Sequence, residues 1–220
     1  MLVFLDIKTT GFEADDTICA VSLLQDGELI GELVNENKKI SPEASAAHHI
    51  SNKMIQNASE FKETRSAKVL QTLSDEDTLV LHDYEFMFML LNQQDINIHA
   101  EVIDTKRVTK HTISDLARFD LQYLRYELQL FEEKELVYKP LEDVLVIRSL
   151  FDYHIQSLSK EEMCRLSFEH VLLEKLSFGK YSGRYIEDIV QKDPHYLRWM
   201  LSLENLDADL RYTIEYYLQG

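Results

Sequence analysis

Asp6 and Lys8 are the first residues of this 220-residue chain whose types and spacing are those of a chemical site. Both lie in the run Leu2-Val3-Phe4-Leu5-Asp6-Ile7-Lys8-Thr9-Thr10-Gly11, whose apolar lead-in fits a central strand buried on both faces. Strand residues two apart project to the same side, so the carboxylate and the ammonium share one face. They do so at the end of the strand, where sheet proteins usually build their sites. A carboxylate there can ligate a hard cation; an ammonium cannot. A second set stands near the C-terminus, where Lys180, Arg184 and Arg198 accompany Tyr181 and Trp199. Positive charge beside stacking surface suits single-stranded nucleic acid. The alternative is that Tyr181, Trp199 and Tyr216 are the core of a mini-domain too small to dispense with aromatics.

The elements that must position these residues follow from pattern and punctuation. Gly11 is expected to permit the turn that takes the backbone off the sheet. Thr17 to Gln25 and Glu28 to Asn35 read as strands joined by the hairpin signal Asp26-Gly27. Ser41 to Asn57 carries short helices, with Ser51 as an N-cap. Glu60 to Leu73 reads as a longer helix, and Thr78 to His82 as a short strand parallel to the first. Tyr84 to Leu91 is helical, Ile96 to Ile103 is strand-like, and Asp104 caps the helix that follows. Ser114 to Leu130 and Tyr138 to Leu158 read as helices with apolar faces. In the last fifty or so residues, Val171 to Phe178 is a short strand, Gly179 and Gly183 shape a loop, and Tyr185 to Lys192 is a helix. Asp193-Pro194 starts another helix, and Asp207 or Asp209 caps the final one. The fold class is α/β: a mixed sheet of about five strands flanked by helices, plus a small α-rich unit. The expected domains are residues 1-165 and 166-220.

Composition narrows the function. The net charge is −16, and residues from Val171 onward hold six Lys+Arg against eight Asp+Glu, so the acidity belongs to the N-terminal part. A chain that grips phosphates normally carries at least a basic patch, so tight nonspecific nucleic-acid binding is disfavoured. A local basic surface is expected only near the C-terminus. Cys19 and Cys164 give neither a disulfide framework nor metal-ligand spacing. No stretch reads as a leader or a membrane span, and a soluble cytoplasmic protein is expected.

The opening run resembles the first motif, Asp-x-Glu-Thr-x-Gly, of the DEDD exonuclease superfamily, with Lys8 in the place of glutamate. The resemblance continues in Ser41 to Ile50, His82 to Met87 and Tyr138 to Asp143. Phe178-Gly179-Lys180-Tyr181-Ser182-Gly183-Arg184, followed by Tyr196-Leu197-Arg198-Trp199, resembles the terminal segment of the exodeoxyribonuclease X branch. The resemblance covers almost the whole chain and implies a ribonuclease H-like exonuclease fold. It also implies carboxylates holding two divalent cations that activate water at a phosphodiester, and a histidine base.

Mapped by position, the chain keeps Asp6 and Asp143, as catalytic and weak metal-ligand candidates, but has Lys8 and Met87 for acids and Tyr138 for the histidine. Tyr138 stands five residues before Asp143, the histidine-subclass spacing, and a phenol is a poor base at neutral pH. The substrate-binding candidates are Thr9, Thr10, His48, His82, Phe86, Lys180 and Arg184. Packing or turn-capping is the plain alternative for Thr9, Thr10, His48, His82 and Phe86. The Lys8 ammonium is expected between Asp6 and Asp143, in the space of the lost metal, unless its flexible stem carries it to solvent.

These residues lead to an exodeoxyribonuclease X-like pseudoenzyme, impaired or inactive, that keeps a nucleic-acid or protein-binding role. It would engage DNA 3′ ends weakly or an unidentified protein, in a DNA-repair setting, with no membrane and no cofactor. One alternative is an active 3′–5′ DNA exonuclease with relocated ligands, which would need Mg²⁺ or Mn²⁺. The other is an acidic protein-interaction module.

Overall fold

The computed structural model describes residues 1–116, 118–130 and 139–219. Its centre is a five-stranded mixed sheet in the order β3-β2-β1-β4-β5, formed by β1 (Leu2–Thr9), β2 (Ile18–Gln25), β3 (Glu28–Leu33), β4 (Thr78–Leu81) and β5 (Glu101–Asp104). The first three strands form an antiparallel meander, whereas β4 and β5 run parallel to β1. Asp26 and Gly27 both adopt positive φ (50° and 81°), the backbone that a tight hairpin requires.

Alternation along β1 decides what faces what. Val3, Leu5 and Ile7 join the core that includes Leu70, Met87 and Leu90, on α3 (Arg65–Gln71) and α4 (Tyr84–Gln93). Phe4 joins the opposite core with Val144, Ile147 and Phe151 of α7 (Asp143–His154). Asp6 and Lys8 share the side of Phe4. They therefore point under the start of α7, whose first residue is Asp143.

Short helices complete this layer: α1 (Pro42–His48), α2 (Asn52–Ile55), α5 (Thr105–Thr112), α6 (Leu121–Glu127) and α8 (Lys160–Leu166). The C-terminal helices α9 (Ile186–Lys192), α10 (Pro194–Leu201) and α11 (Ala208–Gln219) enclose a separate core with Leu176, Ile186, Leu197, Met200, Leu210 and Ile214.

Several elements are shorter than the pattern predicts, each for a local reason. Thr64 is extended (φ −65°, ψ 156°) and its side chain accepts from Ala67 N–H, so the segment from Glu60 splits into a 3₁₀ turn, Phe61–Glu63, and α3. Strand β5 spans only Glu101–Asp104 because the four residues of β4 are its whole pairing partner. Asp120 caps α6, so helix begins at Leu121 rather than near Ser114. Lys139 is extended before Pro140, as a residue preceding proline prefers, and α7 starts only after the turn Pro140–Glu142. Between Val171 and Phe178 the chain makes one isolated bridge, Lys175 to Tyr185.

Gly11 also differs from expectation in its reason. It does not adopt positive φ; instead, a Cβ there would lie 2.2 Å from Asp16 Oδ2.

Candidate active site

The Lys8 ammonium lies between two buried carboxylates. Its Nζ is 3.0 Å from Asp6 Oδ2 and 2.5 Å from Asp143 Oδ2. Strand β1 presents Asp6 and Lys8 together, and the N-terminus of α7 lowers Asp143 onto them. Gln122 of α6 donates to the other Asp143 oxygen at 2.7 Å. Asp6 Oδ2 makes no hydrogen bond of proper angle among the described residues, so its contact with Lys8 is an ion pair by distance. Burial drives the Asp6 carboxyl up to about 6; Lys8 pulls it down, and the neighbouring Asp143 pushes it up. Bridging by Lys8, expected from sequence, is thus present.

An apolar-walled groove of about 440 Å³ opens beside Asp6, lined among others by His82, Phe86, Met87, Lys106, Lys110 and Phe119. Met87 is 4% exposed and packs in the core, and its thioether has no oxygen to offer a hard cation in the groove. Asp83, at the N-cap of α4, pairs with Lys106 at 2.5 Å. Among the described residues no group of three His, Cys, Asp or Glu side chains is arranged to hold a metal ion. With an ammonium in the gap between the carboxylates, the residues present do not fit the family's divalent cations.

The other candidates are distributed as follows. Thr9 Oγ1 donates to Gly11 O at 2.7 Å, and Thr10 Oγ1 donates to Asp16 Oδ1 at 2.8 Å while accepting from Thr17 N–H. Both hydroxyls are engaged in the turn after β1. His48 is buried, which lowers its pKa. As a neutral ring its Nε2–H donates to Thr9 O (3.1 Å) and its Nδ1 accepts from Ile50 N–H (3.1 Å). His82 is likewise held neutral by burial; its Nε2–H donates to Phe119 O at 2.8 Å and its Nδ1 faces Thr105 Oγ1 at 2.9 Å. Phe86 is partly buried against the core and lines the groove. Tyr138 lies outside the described residues.

Lys180 pairs with Asp193 at 3.0 Å, and Arg184 is exposed. The core reading of the C-terminal aromatics fails for two of them. Trp199 is 55% exposed and Tyr216 54% exposed, because aliphatic side chains already fill that core.

Basic charge is not confined to the C-terminus, contrary to expectation. Helix α5 brings Lys106 and Lys110 to the groove and turns Arg107 toward the C-terminal unit. The signal was the cluster Lys106-Arg107 with Lys110, directly after the cap Asp104, in an otherwise acidic segment. Gln122, one helical turn from nothing recognisable in sequence, was not predicted. Asp104 does more than cap: its carboxylate accepts from the N–H groups of Asp83, Tyr84 and Lys106 at 2.8 to 3.0 Å, fixing α4 and α5 around the groove.

Comparison with known proteins agrees with this fold. Exodeoxyribonuclease 10 of Escherichia coli (strain K12) is 24% identical over 236 aligned positions, covering 100% of both chains. A solved structure of Exonuclease X in complex with 5′ overhanging duplex DNA superposes with a TM-score of 0.59 at 19% identity, covering 76% of this chain and 99% of that one. The nuclease domain of 3′hExo, a DEDDh family member bound to rAMP, gives a TM-score of 0.53 at 13% identity, with 70% and 91% covered. Residues 176–207 match the family described as Exodeoxyribonuclease X-like C-terminal. Residues 3–151 match the family described as Exonuclease, and the chain, with its ribonuclease H-like sheet, belongs to that family.

Proposed function

We propose that this protein is a catalytically impaired exodeoxyribonuclease X-like protein that retains a nucleic-acid or protein-binding role. The observation that carries the proposal is the Lys8 ammonium, 3.0 Å from Asp6 and 2.5 Å from Asp143. Two-metal phosphodiester cleavage needs cations that both activate water and stabilise the leaving oxygen. Here an ammonium, which has no coordination position to offer a water, stands between the two retained acids. A side chain cannot deliver a metal-bound hydroxide, so the site keeps the charge of the catalytic centre without its nucleophile. Asp83, an acid beside the groove, would have to leave Lys106 before it could serve as a relocated ligand.

Nucleic acid is the favoured ligand class, since a structural relative, Exonuclease X, is seen with duplex DNA. The sequence-based setting, DNA 3′ ends in cytoplasmic repair, completes the proposal. No helix among the described residues is long and apolar enough to cross a membrane.

The test is a labelled-oligonucleotide assay on single- and double-stranded DNA with Mg²⁺ or Mn²⁺, run beside calorimetric titration with Mn²⁺. Degradation no faster than that of an Asp6→Asn, Asp143→Asn double variant, and no heat of metal binding, are expected. Metal-dependent release of 3′ nucleotides that vanishes in the double variant would overturn the reading.

A further inference from the structure

The C-terminal unit buries its aliphatic side chains and leaves its tryptophan outside. Its core includes Leu176, Ile186, Leu197 and Met200, so packing does not account for Trp199, which is 55% exposed and the chain's only tryptophan. Tryptophan and tyrosine are enriched at binding surfaces, where a ring offers a large rigid contact area. Trp199 is also not isolated. Tyr196, one turn earlier on α10, holds its ring 5.6 Å away at a tilt of 38°, and Tyr181 packs edge-on against Tyr196 at 5.2 Å.

The loop beside this row is seated on it. Lys180 N–H donates to Tyr196 Oη at 3.2 Å, and Gly179 has φ +75° and no room for a Cβ, which would lie 2.4 Å from that same oxygen. The Lys180 ammonium sits 4.7 Å from the Tyr181 ring centre and 6.0 Å from that of Tyr196. Tyr181 Oη donates to Asp193, the carboxylate that also holds Lys180. Arg184 is tied by its backbone to Tyr181 O at 3.0 Å. Arg184 and Arg198, beside Trp199 in sequence, are both exposed.

We propose that Trp199 and Tyr196, flanked by Arg184 and Arg198, form a stacking platform for single-stranded nucleic acid. The occupant follows from complementarity. Bases offer a flat face to the rings whatever their sequence, and phosphates meet cations that stand out in a chain of net charge −16. An acidic or aliphatic partner would satisfy only one of the two features. The inference rests on the nucleic-acid-binding part of the proposed function and gives that binding a location away from the bridged carboxylates.

Because Trp199 is the only tryptophan, its fluorescence reads the platform directly. The full-length protein is titrated with a 12-residue oligothymidylate in EDTA, following intrinsic fluorescence and the anisotropy of a labelled oligonucleotide. Expected results are quenching on binding, an affinity lowered about tenfold or more by Trp199→Ala, and near-normal affinity with Trp199→Phe. Arg184→Ala should flatten the dependence of log affinity on log salt by somewhat less than one unit. Urea unfolding of each variant checks that an exposed substitution leaves the fold intact.

Oligonucleotide binding without quenching, or unchanged by Trp199→Ala, overturns the platform and moves the contact to the groove. Absence of oligonucleotide binding overturns it too. In that case Trp199-dependent self-association in sedimentation would assign the face to a second copy. Nuclease activity in Mg²⁺ that needs Asp6 and Asp143 would refute the impaired-site reading alone, leaving the platform to stand on the fluorescence result.

Discussion

Lys8 sets the electrostatics of the site at the scale of single residues. Two carboxylates held together in a buried place repel unless a cation intervenes, and the ammonium at 3.0 and 2.5 Å is that cation. At those separations and an effective dielectric near 20, each attraction is worth roughly 6 kcal/mol before desolvation, so most of it offsets the cost of burying charge. Removing one partner exposes that cost. Lys8→Met is expected to destabilise the fold by about 3 kcal/mol in urea unfolding at pH 7 and to raise Asp6 beyond about 6. Added Mn²⁺ should recover part of the loss. A variant as stable as the parent, with and without the ion, would show that the bridge contributes nothing.

A second residue-scale prediction concerns pH. Asp6 titrates near 6 when folded, against 3.8 as its ordinary value, so ionising it costs stability as pH rises from about 4 to 6. His154 is buried and its Nε2 faces Thr109 Oγ1 at 2.8 Å; burial lowers it from 6.5 to about 4. Its folded form binds fewer protons than the unfolded chain between those values, so it costs stability as pH falls through the same window. Each is worth about 3 kcal/mol, with opposite sign. Relative to the parent, Asp6→Asn should gain stability as pH rises from 4 to 7, while His154→Gln should gain on acidification. Parallel urea-midpoint profiles for parent and variants would contradict both assignments.

Among elements, α5 is tied to α11 by a cluster of charged groups. Arg107 reaches both oxygens of Asp209 at 3.1 and 3.0 Å, Lys110 approaches at 3.5 Å, and Val171 N–H donates to Oδ1 at 3.1 Å. Asp209 is 3% exposed, so leaving Arg107 without it strands a charge in a place that water reaches poorly. Asp209→Asn is therefore expected to cost about 3 to 5 kcal/mol, and to increase proteolysis near Glu169 before the sheet domain unfolds. Equal susceptibility in parent and variant would mean that the joint is held by packing alone. Sequence foresaw the last helix but placed Asp209 as a possible cap. Asp207 does the capping, accepting from Leu210 N–H at 2.9 Å, which frees Asp209 for a partner 102 residues away. Several local signals were readable: the Asp26-Gly27 hairpin, the Asp104 and Asp193 caps, and the shared face of Asp6 and Lys8. The lysine bridge was readable because family position supplied its distant half, Asp143. The helix starts set by the Thr64 and Asp120 caps and by Lys139 before Pro140 were local and still missed; the rest of what stayed hidden was set by packing between distant segments. Gln122 on Asp143, the basic side of α5 at the groove, and the outward turn of Trp199 have no short-range signature. Gly11 was identified correctly as required, but Asp16 above it, not the backbone angle, requires it.

The whole molecule carries −16, and all but two units of it fall on residues 1–170. Any nucleic acid that binds must approach an acidic body. Two or three cations at one end can neutralise only two or three phosphates, which for a single strand gives a slope of log affinity against log salt of roughly −2. The acidic body opposes them over a distance set by screening, about 8 Å at physiological ionic strength and about 30 Å at 0.01 M. Lowering salt therefore strengthens the local attraction and lengthens the reach of the repulsion together. The expected curve is shallow near 0.15 M and flattens or turns over below about 0.05 M, where the Debye length exceeds 10 Å. Anisotropy titrations of one oligonucleotide from 0.01 to about 0.3 M salt measure it directly. A straight line with a slope steeper than about −5 would require phosphates along a longer basic track. In this chain that track would run from Lys106 and Lys110 on α5, beside the bridged carboxylates. The shape of that curve, more than the affinity itself, therefore distinguishes a strand stacked on the C-terminal unit from one lying in the groove.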